Sequence, residues 1–320
     1  MHSHVTRDAA YLHGLQAFLH NEYGLHSIHV APAPRGYYGE TWKVESQEGT
    51  YFVKVVYAKA HQERYAHSFT ALEHIHQCGV PHTSTIVKTL SGALYAYFDS
   101  AVCGVFAWVE GNNVQNRNTK IAEYHILASV YAVPTEGLAI PRDSLDTNHA
   151  DTFYRWLTWL EHHHDDATAR QLWATFAQHR RELDERAERL ALFAKRINMK
   201  ELPFYITHGD AGGNIITQGD SFTLVDWDSV RLAPPERDAW FCLHWNWAID
   251  AFNEALHSCG LAYTLQPNLL AYYCYDSYFY YLVEYMATFC ELKNADMPET
   301  IEGFFHGWIA EELAFADKMP

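Results

Sequence analysis

The stretch Thr207–Ile216 reads THGDAGGNII and decides how the chain is interpreted. It places Asp210 before two glycines and Asn214, and the apolar run FTLV leads soon afterwards to Asp226 and Asp228. Taken singly these features are ordinary, because Asp-Ala-Gly-Gly-Asn is typical of a hairpin turn and Asp-Trp-Asp of a strand end with solvated carboxylates. Taken together they supply carboxylate and amide oxygens, the ligands that suit Mg²⁺.

Asp210 and Asn214 suit different tasks in the transfer of a phosphoryl group from ATP. An aspartate can orient a hydroxyl group and accept its proton, whereas an asparagine offers a neutral carbonyl oxygen to the metal. The same chemistry needs a lysine on the phosphates and a carboxylate on the metal. Asp226, at the end of the strand-like run FTLV, is the candidate carboxylate.

The candidate lysine is Lys54, in the centre of the strand-like run YFVKVV. The alternation of a β-strand places it on the same face as Phe52 and Val56. Because a buried, unpaired ammonium group is costly, Lys54 either has a negative partner or points to water from an edge strand. The run itself leaves both alternatives open.

The first part of the chain, residues 1–109, is predicted to be a small lobe of antiparallel β-structure with one helix, Ala60–Gln77. Residues 110–320 are predicted to form a larger, mainly helical lobe after a hinge near Val109–Asn112, and Thr168–Ile197 is predicted as one long charged helix. The predicted fold class is therefore α+β. The strand predictions are Thr41–Glu45, Tyr51–Val56 and the runs TIVKTL, ALYAYF and GVFAWV.

The composition of the 320-residue chain narrows the class of protein. Apolar residues make up 48% and the formal net charge is −16, so we expect a folded protein whose surface attracts cationic ligands and does not bind nucleic acid. There is no run of 18 apolar residues and no CxxC pair among the six cysteines. We therefore expect a soluble, cytoplasmic protein with reduced thiols and no membrane contact.

The motifs together resemble the aminoglycoside phosphotransferase family, whose fold is protein-kinase-like and bilobal. The resemblance starts from HGD, the following Asn214, and VDWD, and it extends to YFVKVV, to FAWVEG as the hinge, and to RLAPPERDAWF. The last segment is closest in form to spectinomycin-type phosphotransferases. In ILASVYAVPTEG the family usually has a histidine where Tyr131 stands. The resemblance covers about residues 10–290.

The resemblance implies a role for each matching residue. It implies that Asp210 is the catalytic base, that Asn214 and Asp226 hold Mg²⁺, and that Lys54 grips the α- and β-phosphates of ATP. Asp228 would hold a second metal ion or support Asp226. Three further implications concern neighbouring segments: a structural role for His208, an acceptor role for Asp238 towards the loop, and adenine binding by the main chain of Ala107 to Val109.

Three departures from the family pattern concern the nucleotide site. The family's loop is written Asp-x-x-x-x-Asn, whereas Asn214 comes only four residues after Asp210; the glycines between them are expected to let Asn214 reach the metal. The loop over the phosphates would contain only Gly36 and Gly39, a pattern equally consistent with a simple turn. Glu73 is the predicted partner of the strand lysine, one helical turn beyond the family's position.

The acceptor is expected to be a small hydroxylated molecule, with a cationic aminoglycoside or aminocyclitol as first choice. A metabolic kinase of choline, homoserine or a sugar is the alternative within the class, because fold does not fix the substrate. A catalytically silent nucleotide-binding protein is the alternative outside it, since the loop is short. The candidate acceptor-binding carboxylates, in the last third of the chain, are Asp250, Glu254, Asp276 and Glu284.

Overall fold

The computed structural model describes residues 7–33, 39–163, 166–292 and 295–319. The helices are α1 Ala9–Tyr23, α2 Lys59–Gln77, α3 Arg117–Tyr131, α4 Asn148–His162, α5 Ala167–Gln178, α6 Arg180–Arg196, α7 Glu236–Ala239, α8 Ala248–Ser258, α9 Pro267–Leu292, α10 Met297–His306 and α11 Trp308–Ala316. The strands are β1 Ser27–Pro32, β2 Glu40–Ser46, β3 Thr50–Val56, β4 Ile86–Val87, β5 Ala96–Phe98, β6 Ala101–Ala107, β7 Asn112–Asn113, β8 Tyr205–Thr207, β9 Ile215–Gln218, β10 Ser221–Leu224 and β11 Arg231–Ala233. None of the helices, within the described residues, is long and apolar enough to cross a membrane.

The chain divides into two compact units. The first comprises Met1–Arg142, Phe204–Ala233 and Glu254–Ala262, and the second Asp143–Pro203, Pro234–Asn253 and Tyr263–Pro320. The segments that carry Asp210 and Asp226 are thus grouped with the N-terminal sheet. The lobe boundary predicted between residues 109 and 110 follows a different division and stays a prediction.

An antiparallel sheet of six strands dominates the first unit, in the order β1-β2-β3-β6-β4, with β5 also paired to β6. Val53 and Val55 of β3 face an apolar cluster that includes Leu15 and Leu19 of α1. Strand alternation turns Lys54, between them, to the opposite face. The predicted antiparallel sheet is confirmed, and the sequence prediction missed only its first strand.

Helix α2 lies close against the face of the sheet that carries Lys54. Gly104 of β6 is the register partner of Lys54, and the ring of Phe69 from α2 covers it. A Cβ atom at position 104 would lie 2.0 Å from the Phe69 ring, and that ring stacks on Phe106 at 5.3 Å. Because Gly104 has no side chain, α2 can approach the sheet closely beside Lys54.

Two short sheets in the same unit carry the motif residues. Strands β9 and β10 form a hairpin that β7 extends, and β8 pairs with β11. Asp210 and Asn214 lie between β8 and β9, and Asp226 and Asp228 lie between β10 and β11. Local pairing therefore brings the ends of the two motif loops together.

The second unit is helical and is built around α9, which α4, α6 and α11 contact. The prediction of one long helix over Thr168–Ile197 was wrong: α5 ends at Gln178, and α6 starts at Arg180. His179, at φ −93° and ψ 7°, joins them. Both helices keep apolar residues at helical spacing and neither glycine nor proline marks the break, so periodicity did not detect it.

Candidate active site

His208 fixes the backbone on both sides of the candidate active site. It is fully buried, its Nδ1 accepts a hydrogen bond from the Asp210 N–H at 3.2 Å, and its Nε2 lies 2.9 Å from the Val225 carbonyl oxygen. A neutral imidazole with its proton on Nε2 satisfies both contacts. The ring therefore links the residue that precedes Asp226 to the start of the loop at Asp210.

The short loop after Asp210 turns tightly and returns at Asn214. The N–H groups of Gly213 and Asn214 both point to the Ala211 carbonyl oxygen, at 2.6 Å and 3.1 Å. Gly213 has φ 144°, a conformation that side-chain-bearing residues rarely adopt. The missing residue of the loop is thus accommodated by a glycine in a conformation available mainly to glycine.

Asn214 is held in two places. Its main-chain oxygen accepts from the Val225 N–H at 2.8 Å, next to Asp226 in the chain. Its side-chain Nδ2 donates to the Asp210 carbonyl oxygen at 2.6 Å. With the amide nitrogen turned towards Asp210, the amide oxygen Oδ1 is the atom of Asn214 that can serve a metal ion.

Asp226 has an unusual backbone conformation, with φ 64°. A non-glycine residue in the left-handed region costs free energy, and such residues concentrate at functional sites. Trp227, which follows, is buried and donates from Nε1 to the Leu224 oxygen at 3.0 Å. This anchored indole stabilises the turn and orients the carboxylates on either side of it.

Lys54 is buried, with 3% of its side chain exposed, and it does have negative partners. Its Nζ lies 3.1 Å from Asp226 Oδ1 and also donates to Asp228 Oδ2. Burial lowers the pKa of Lys54, but the charges of Asp226 and Asp228 outweigh it and raise the pKa overall. The alternative that Lys54 points to water from an edge strand is therefore wrong.

Lys54 lowers the pKa of both carboxylates, but the net shifts have opposite directions. Burial opposes the ionisation of Asp226, but the charge of Lys54 prevails and lowers its pKa. Burial raises the pKa of Asp228 and, together with the charge of Asp226, outweighs the lowering by Lys54. Asp226, with 37% of its side chain exposed, is thus the more readily ionised and the more accessible ligand.

Arg64, on α2, is the site residue that sequence reasoning missed. Its Nε donates to the Asp228 main-chain oxygen at 2.9 Å, and its Nη2 donates to Ser229 Oγ. Its charge also lowers the pKa of Asp210. The family resemblance predicts an acidic partner of Lys54 on this helix, and no sequence signal marks a basic residue near the start of the helix as part of the site.

Tyr65, beside Arg64, occupies the space above Lys54. It is 2% exposed, and Lys54 Nζ lies 5.4 Å from the centre of its ring. Its buried hydroxyl has no hydrogen-bond partner within the described part of the chain. An aromatic ring can stabilise an ammonium ion, so α2 approaches Lys54 with a ring where the family pattern predicted a carboxylate.

Glu73 does not lie with Lys54. Its Oε1 accepts from Lys88 Nζ at 2.6 Å and from Gln77 Nε2 at 2.7 Å. The prediction that Glu73 pairs with the strand lysine was therefore wrong. The physical reason is the direction of α2, which turns Arg64 and Tyr65 to the motif loops and leaves Glu73 beside Lys88.

Gly36 and Gly39 are the glycines of the loop predicted to cover the phosphates, and the structure describes only the second. Gly36 lies outside the described residues. Gly39 is described, and a Cβ atom there would lie 2.8 Å from the Val55 carbonyl oxygen. Its lack of a side chain lets the start of β2 pass close to β3. The close packing of the two strands therefore explains a glycine here independently of the predicted nucleotide role.

The predicted adenine-binding segment follows β6. The N–H of Ala107 donates to the Thr85 oxygen at 2.9 Å, and that of Trp108 to the Thr50 oxygen at 3.1 Å. The N–H of Ala107 is therefore already bonded, which leaves its carbonyl oxygen as the predicted contact of a base. The N–H of Val109 takes part in none of the main-chain hydrogen bonds found among the described residues, so it remains available as a donor.

Asp210 lies in an environment that resists its ionisation. Burial and the negative charge of Asp226 raise its pKa to about 7, against opposing effects of Arg64 and the Asn214 side chain. Part of the Asp210 side chain reaches solvent, so the carboxyl group can exchange its proton. A pKa near neutrality suits a group that accepts a proton at physiological pH.

The charges of these residues leave an excess of negative charge. The three carboxylates are those of Asp210, Asp226 and Asp228, and the two cations are Lys54 and Arg64. A hard divalent cation fits such a set, because carboxylate oxygens and the amide oxygen of Asn214 are its preferred ligands. The repulsion by Asp226, which adds to the effect of burial on the pKa of Asp210, reflects this excess of negative charge.

The candidate acceptor residues have varied surroundings in the structure. Asp276 pairs with His149 Nδ1 at 2.8 Å, whereas Asp250 and Glu254 are exposed. Glu284 is half-buried. Asp238 is buried in α7, and its predicted contact with the loop stays a prediction.

The fold and a match to a protein-family model identify the chain as a kinase-like phosphotransferase. A family model described as the phosphotransferase enzyme family matches residues 29–272, and the chain belongs to that family. No curated protein sequence matches the chain. The predicted family resemblance is confirmed.

Solved structures show the same fold at low sequence identity. A spectinomycin phosphotransferase in complex with ADP and spectinomycin has a TM-score of 0.77 and 17% identity, covering 96% of this chain and 97% of that one. A microcompartment-associated aminopropanol kinase has 0.64 and 15%, covering 97% of both chains. An amicoumacin kinase in complex with AMP-PNP and Ca²⁺ has 0.62 and 12%, covering 98% of this chain and 95% of that one. These likenesses confirm the predicted protein-kinase-like fold.

Proposed function

We propose that the protein is an ATP- and Mg²⁺-dependent O-phosphotransferase that acts on a hydroxyl group of a small, cationic molecule. One observation carries the proposal: Lys54 is buried between Asp226 and Asp228, in the same unit as the loop of Asp210 and Asn214. Membership of the phosphotransferase family supports the reaction class. The predicted cytoplasmic location is kept with this proposal, since the reaction consumes ATP.

Asp210 is the proposed base. Its carboxylate accepts the proton of the acceptor hydroxyl while that oxygen bonds to the γ-phosphorus of ATP and the bond from that phosphorus to the β,γ-bridging oxygen breaks. The products are the phosphorylated acceptor and ADP. A pKa near 7 lets Asp210 bind a proton in the reaction and release it afterwards at neutral pH.

Lys54 is the proposed phosphate ligand. Its ammonium group is bound by Asp226 and Asp228. In the complex it donates to phosphate oxygens, and Asp226 becomes available to the metal. The carbonyl oxygen of Ala107 and the N–H of Val109 are the proposed contacts of adenine, and Gly36 and Gly39 are the proposed loop over the phosphates.

Asn214 and Asp226 are the residues that would hold Mg²⁺, with Asp228 behind them. When bound, the metal neutralises charge on the phosphates of ATP. The chain's own part is to keep Asp226 ionised through Lys54 and to hold Asn214 by its contacts with Asp210 and Val225. The amicoumacin kinase structure contains AMP-PNP and Ca²⁺, which supports the use of nucleotide and divalent metal here.

The acceptor is proposed to be an aminoglycoside or aminocyclitol, which would make the reaction one of antibiotic resistance. The acidic net charge of −16 and the likeness to a spectinomycin phosphotransferase support this choice. The likeness to an aminopropanol kinase supports the second candidate, a metabolic kinase of a small hydroxylated amine. Fold alone cannot separate the two.

A screen of ATP consumption with purified protein tests the proposal. Spectinomycin, other aminoglycosides, choline, homoserine and aminopropanol are each added with Mg²⁺, and Asp210→Asn serves as the matched control. Turnover with one acceptor, lost in the control, supports the proposal and names the class. If no acceptor raises ATP consumption and Mg²⁺ leaves ATP affinity unchanged, the silent nucleotide-binding alternative replaces it.

A further inference from the structure

The second unit contains a cluster of three metal-ligating side chains that the proposed reaction does not use. His179, between α5 and α6, faces Glu302 and His306 of α10. One ligand atom from each lies within 4.8 Å of the other two. In the described part of the chain this is the one group of its kind found outside the motif loops.

The distances in this cluster match those around a four-coordinate zinc ion. His179 Nε2 lies 3.3 Å from Glu302 Oε2, and His306 Nε2 lies 3.2 Å from Glu302 Oε1. Ligands at about 2.0–2.1 Å from Zn²⁺ in a tetrahedron lie about 3.3 Å from one another. Small side-chain movements would therefore let all three residues bind one ion.

His179 is held in place before any ion binds. Its ring stacks on Phe305 with centroids 4.0 Å apart, and its other nitrogen, Nδ1, lies 3.4 Å from Glu182 Oε2. Metal-binding histidines usually donate their second N–H to a carboxylate in this way, which orients the ring and raises its basicity. Glu182 is in turn fixed by an ion pair with Arg186.

The ligands on α10 leave room for solvent. Glu302 and His306 are four residues apart, so they share one face of the helix. Their side chains are 45% and 68% exposed, against 13% for His179. An ion bound there would complete its coordination with water and would join α10 to the break between α5 and α6.

We propose that His179, Glu302 and His306 form a binding site for a divalent transition metal, with Zn²⁺ as the ion that fits best. Two imidazoles and one carboxylate suit this class of metal better than Mg²⁺ or Ca²⁺, which prefer oxygen ligands. The site is separate from the proposed nucleotide chemistry, and nothing in it depends on phosphoryl transfer.

Calorimetric titration of the full chain with Zn²⁺ at pH 8 and in excess Mg²⁺ tests the proposal. Protons compete less with a metal ion for imidazole nitrogens at this pH than at acidic pH. The parent and all variants carry His2→Gln and His4→Gln, because the histidines of the N-terminal sequence MHSH are themselves potential zinc ligands. Unfolding temperatures without metal check that each variant is folded.

We expect Glu302→Gln and His306→Gln each to weaken the binding of one Zn²⁺ ion at least about tenfold. In other metal sites a loss of this size already follows when a residue that only hydrogen-bonds to a ligand is replaced. Matched controls are Glu299→Gln, exposed on the same helix, and His13→Gln, exposed on α1; both should keep the site. Zn²⁺ should also raise the unfolding temperature of the parent but not of Glu302→Gln. Equal affinity in parent and ligand variants, or no zinc binding by the parent, overturns the proposal.

Discussion

Lys54 Nζ lies 3.1 Å from Asp226 Oδ1, although 172 residues separate the two in the chain. The contact joins the central strand of the N-terminal sheet to the loop that follows β10. The same nitrogen donates to Asp228, so one buried cation organises two carboxylates. Charge compensation at this point is the physical basis of both the stability and the proposed chemistry of the site.

Removal of the Lys54 charge should destabilise the fold. In Lys54→Met the buried Asp228 loses its cation, and breaking a buried ion pair costs about 3–5 kcal/mol; the exposure of Asp226 places the expected loss near the lower end, at about 3 kcal/mol. ATP affinity should fall as well. Urea denaturation and nucleotide titration measure the two effects.

Glu73→Gln is the matched comparison for Lys54→Met, since Glu73 pairs with Lys88 near the surface. Exposed ion pairs contribute at most about 1 kcal/mol, so this variant should remain close to the parent in stability and in ATP affinity. A larger effect of Glu73→Gln than of Lys54→Met would contradict the assignment of the lysine's partners.

Asp210→Asn should remove turnover while leaving nucleotide binding intact. Loss of a positioned base typically lowers the rate about 10²–10⁴-fold, whereas Lys54 and the proposed adenine contacts are untouched. In the parent, kcat/KM should fall as the pH drops through about 7, because protonated Asp210 cannot accept a proton. Steady-state rates against pH, with ATP affinity measured separately, test this; turnover that survives the substitution rejects Asp210 as the base.

The same substitution should stabilise the metal-free protein. The pKa of Asp210 is raised on folding to about 7, from an ordinary value near 3.8. The folded state therefore holds the proton more tightly, and stability contributed by this group is present below about pH 4 and is lost as the pH rises towards 7. Asn mimics the protonated form, so Asp210→Asn should have a higher unfolding temperature than the parent at pH 8, and the difference should shrink towards pH 4.

The sequence predicted much of the fold because its main signals are local. The alternation in YFVKVV and the helical spacing of residues 60–77 each reflect one element and its buried face. The two motif loops lie at the ends of short strands, and Asp210, Asn214 and Asp226 fall in one compact unit. Their chemical roles stay predictions.

The features that the sequence did not reveal depend on the orientation of α2 and on the backbone conformation of single residues. The periodicity of this helix does not indicate which of its faces turns to Lys54, so it favours neither Arg64 nor Glu73 as a site residue. The break at His179 has no glycine or proline to mark it. The φ of 64° at Asp226 is set by the anchoring of Trp227 and the pairing of β10, which no local pattern records.

Arg64 should act as a positioning residue for the carboxylates. It binds the main chain of Asp228, and its charge lowers the pKa of Asp210. In Arg64→Gln we expect the acid limb of the kcat/KM profile to move to higher pH and the rate at pH 7 to fall. Arg64→Lys should keep the positive charge but lose the double contact with Asp228 and Ser229. Its acid limb should therefore lie between those of the parent and Arg64→Gln.

Arg181→Gln is the control for Arg64, because Arg181 forms an exposed pair within one helix. It should leave the pH profile unchanged. A profile of Arg64→Gln that falls in rate without any shift along the pH axis would mean that Arg64 only supports the fold of the loop.

Gly212 and Gly213, in the short loop between Asp210 and Asn214, offer a direct test of how Asn214 reaches the metal. Gly213 has φ 144°, and a Cβ atom added there would have no neighbouring atom within 4 Å, so a side chain would meet backbone strain and not a clash. Gly212 is not among the described glycines with positive φ. Gly213→Ala should therefore cost about 1–3 kcal/mol of backbone strain, relieved by movement of Asn214, whereas Gly212→Ala should cost less.

If Asn214 is a metal ligand, that movement must weaken Mg²⁺ binding before it affects the nucleotide. We expect the Mg²⁺ concentration for half-maximal activity to rise about tenfold in Gly213→Ala, the equivalent of about 1.4 kcal/mol, with ATP affinity in the absence of metal unchanged. Gly212→Ala should change both much less. An equal response of the two variants, or a loss of ATP affinity without metal in Gly213→Ala, would show that the conformation at Gly213 does not serve to place Asn214.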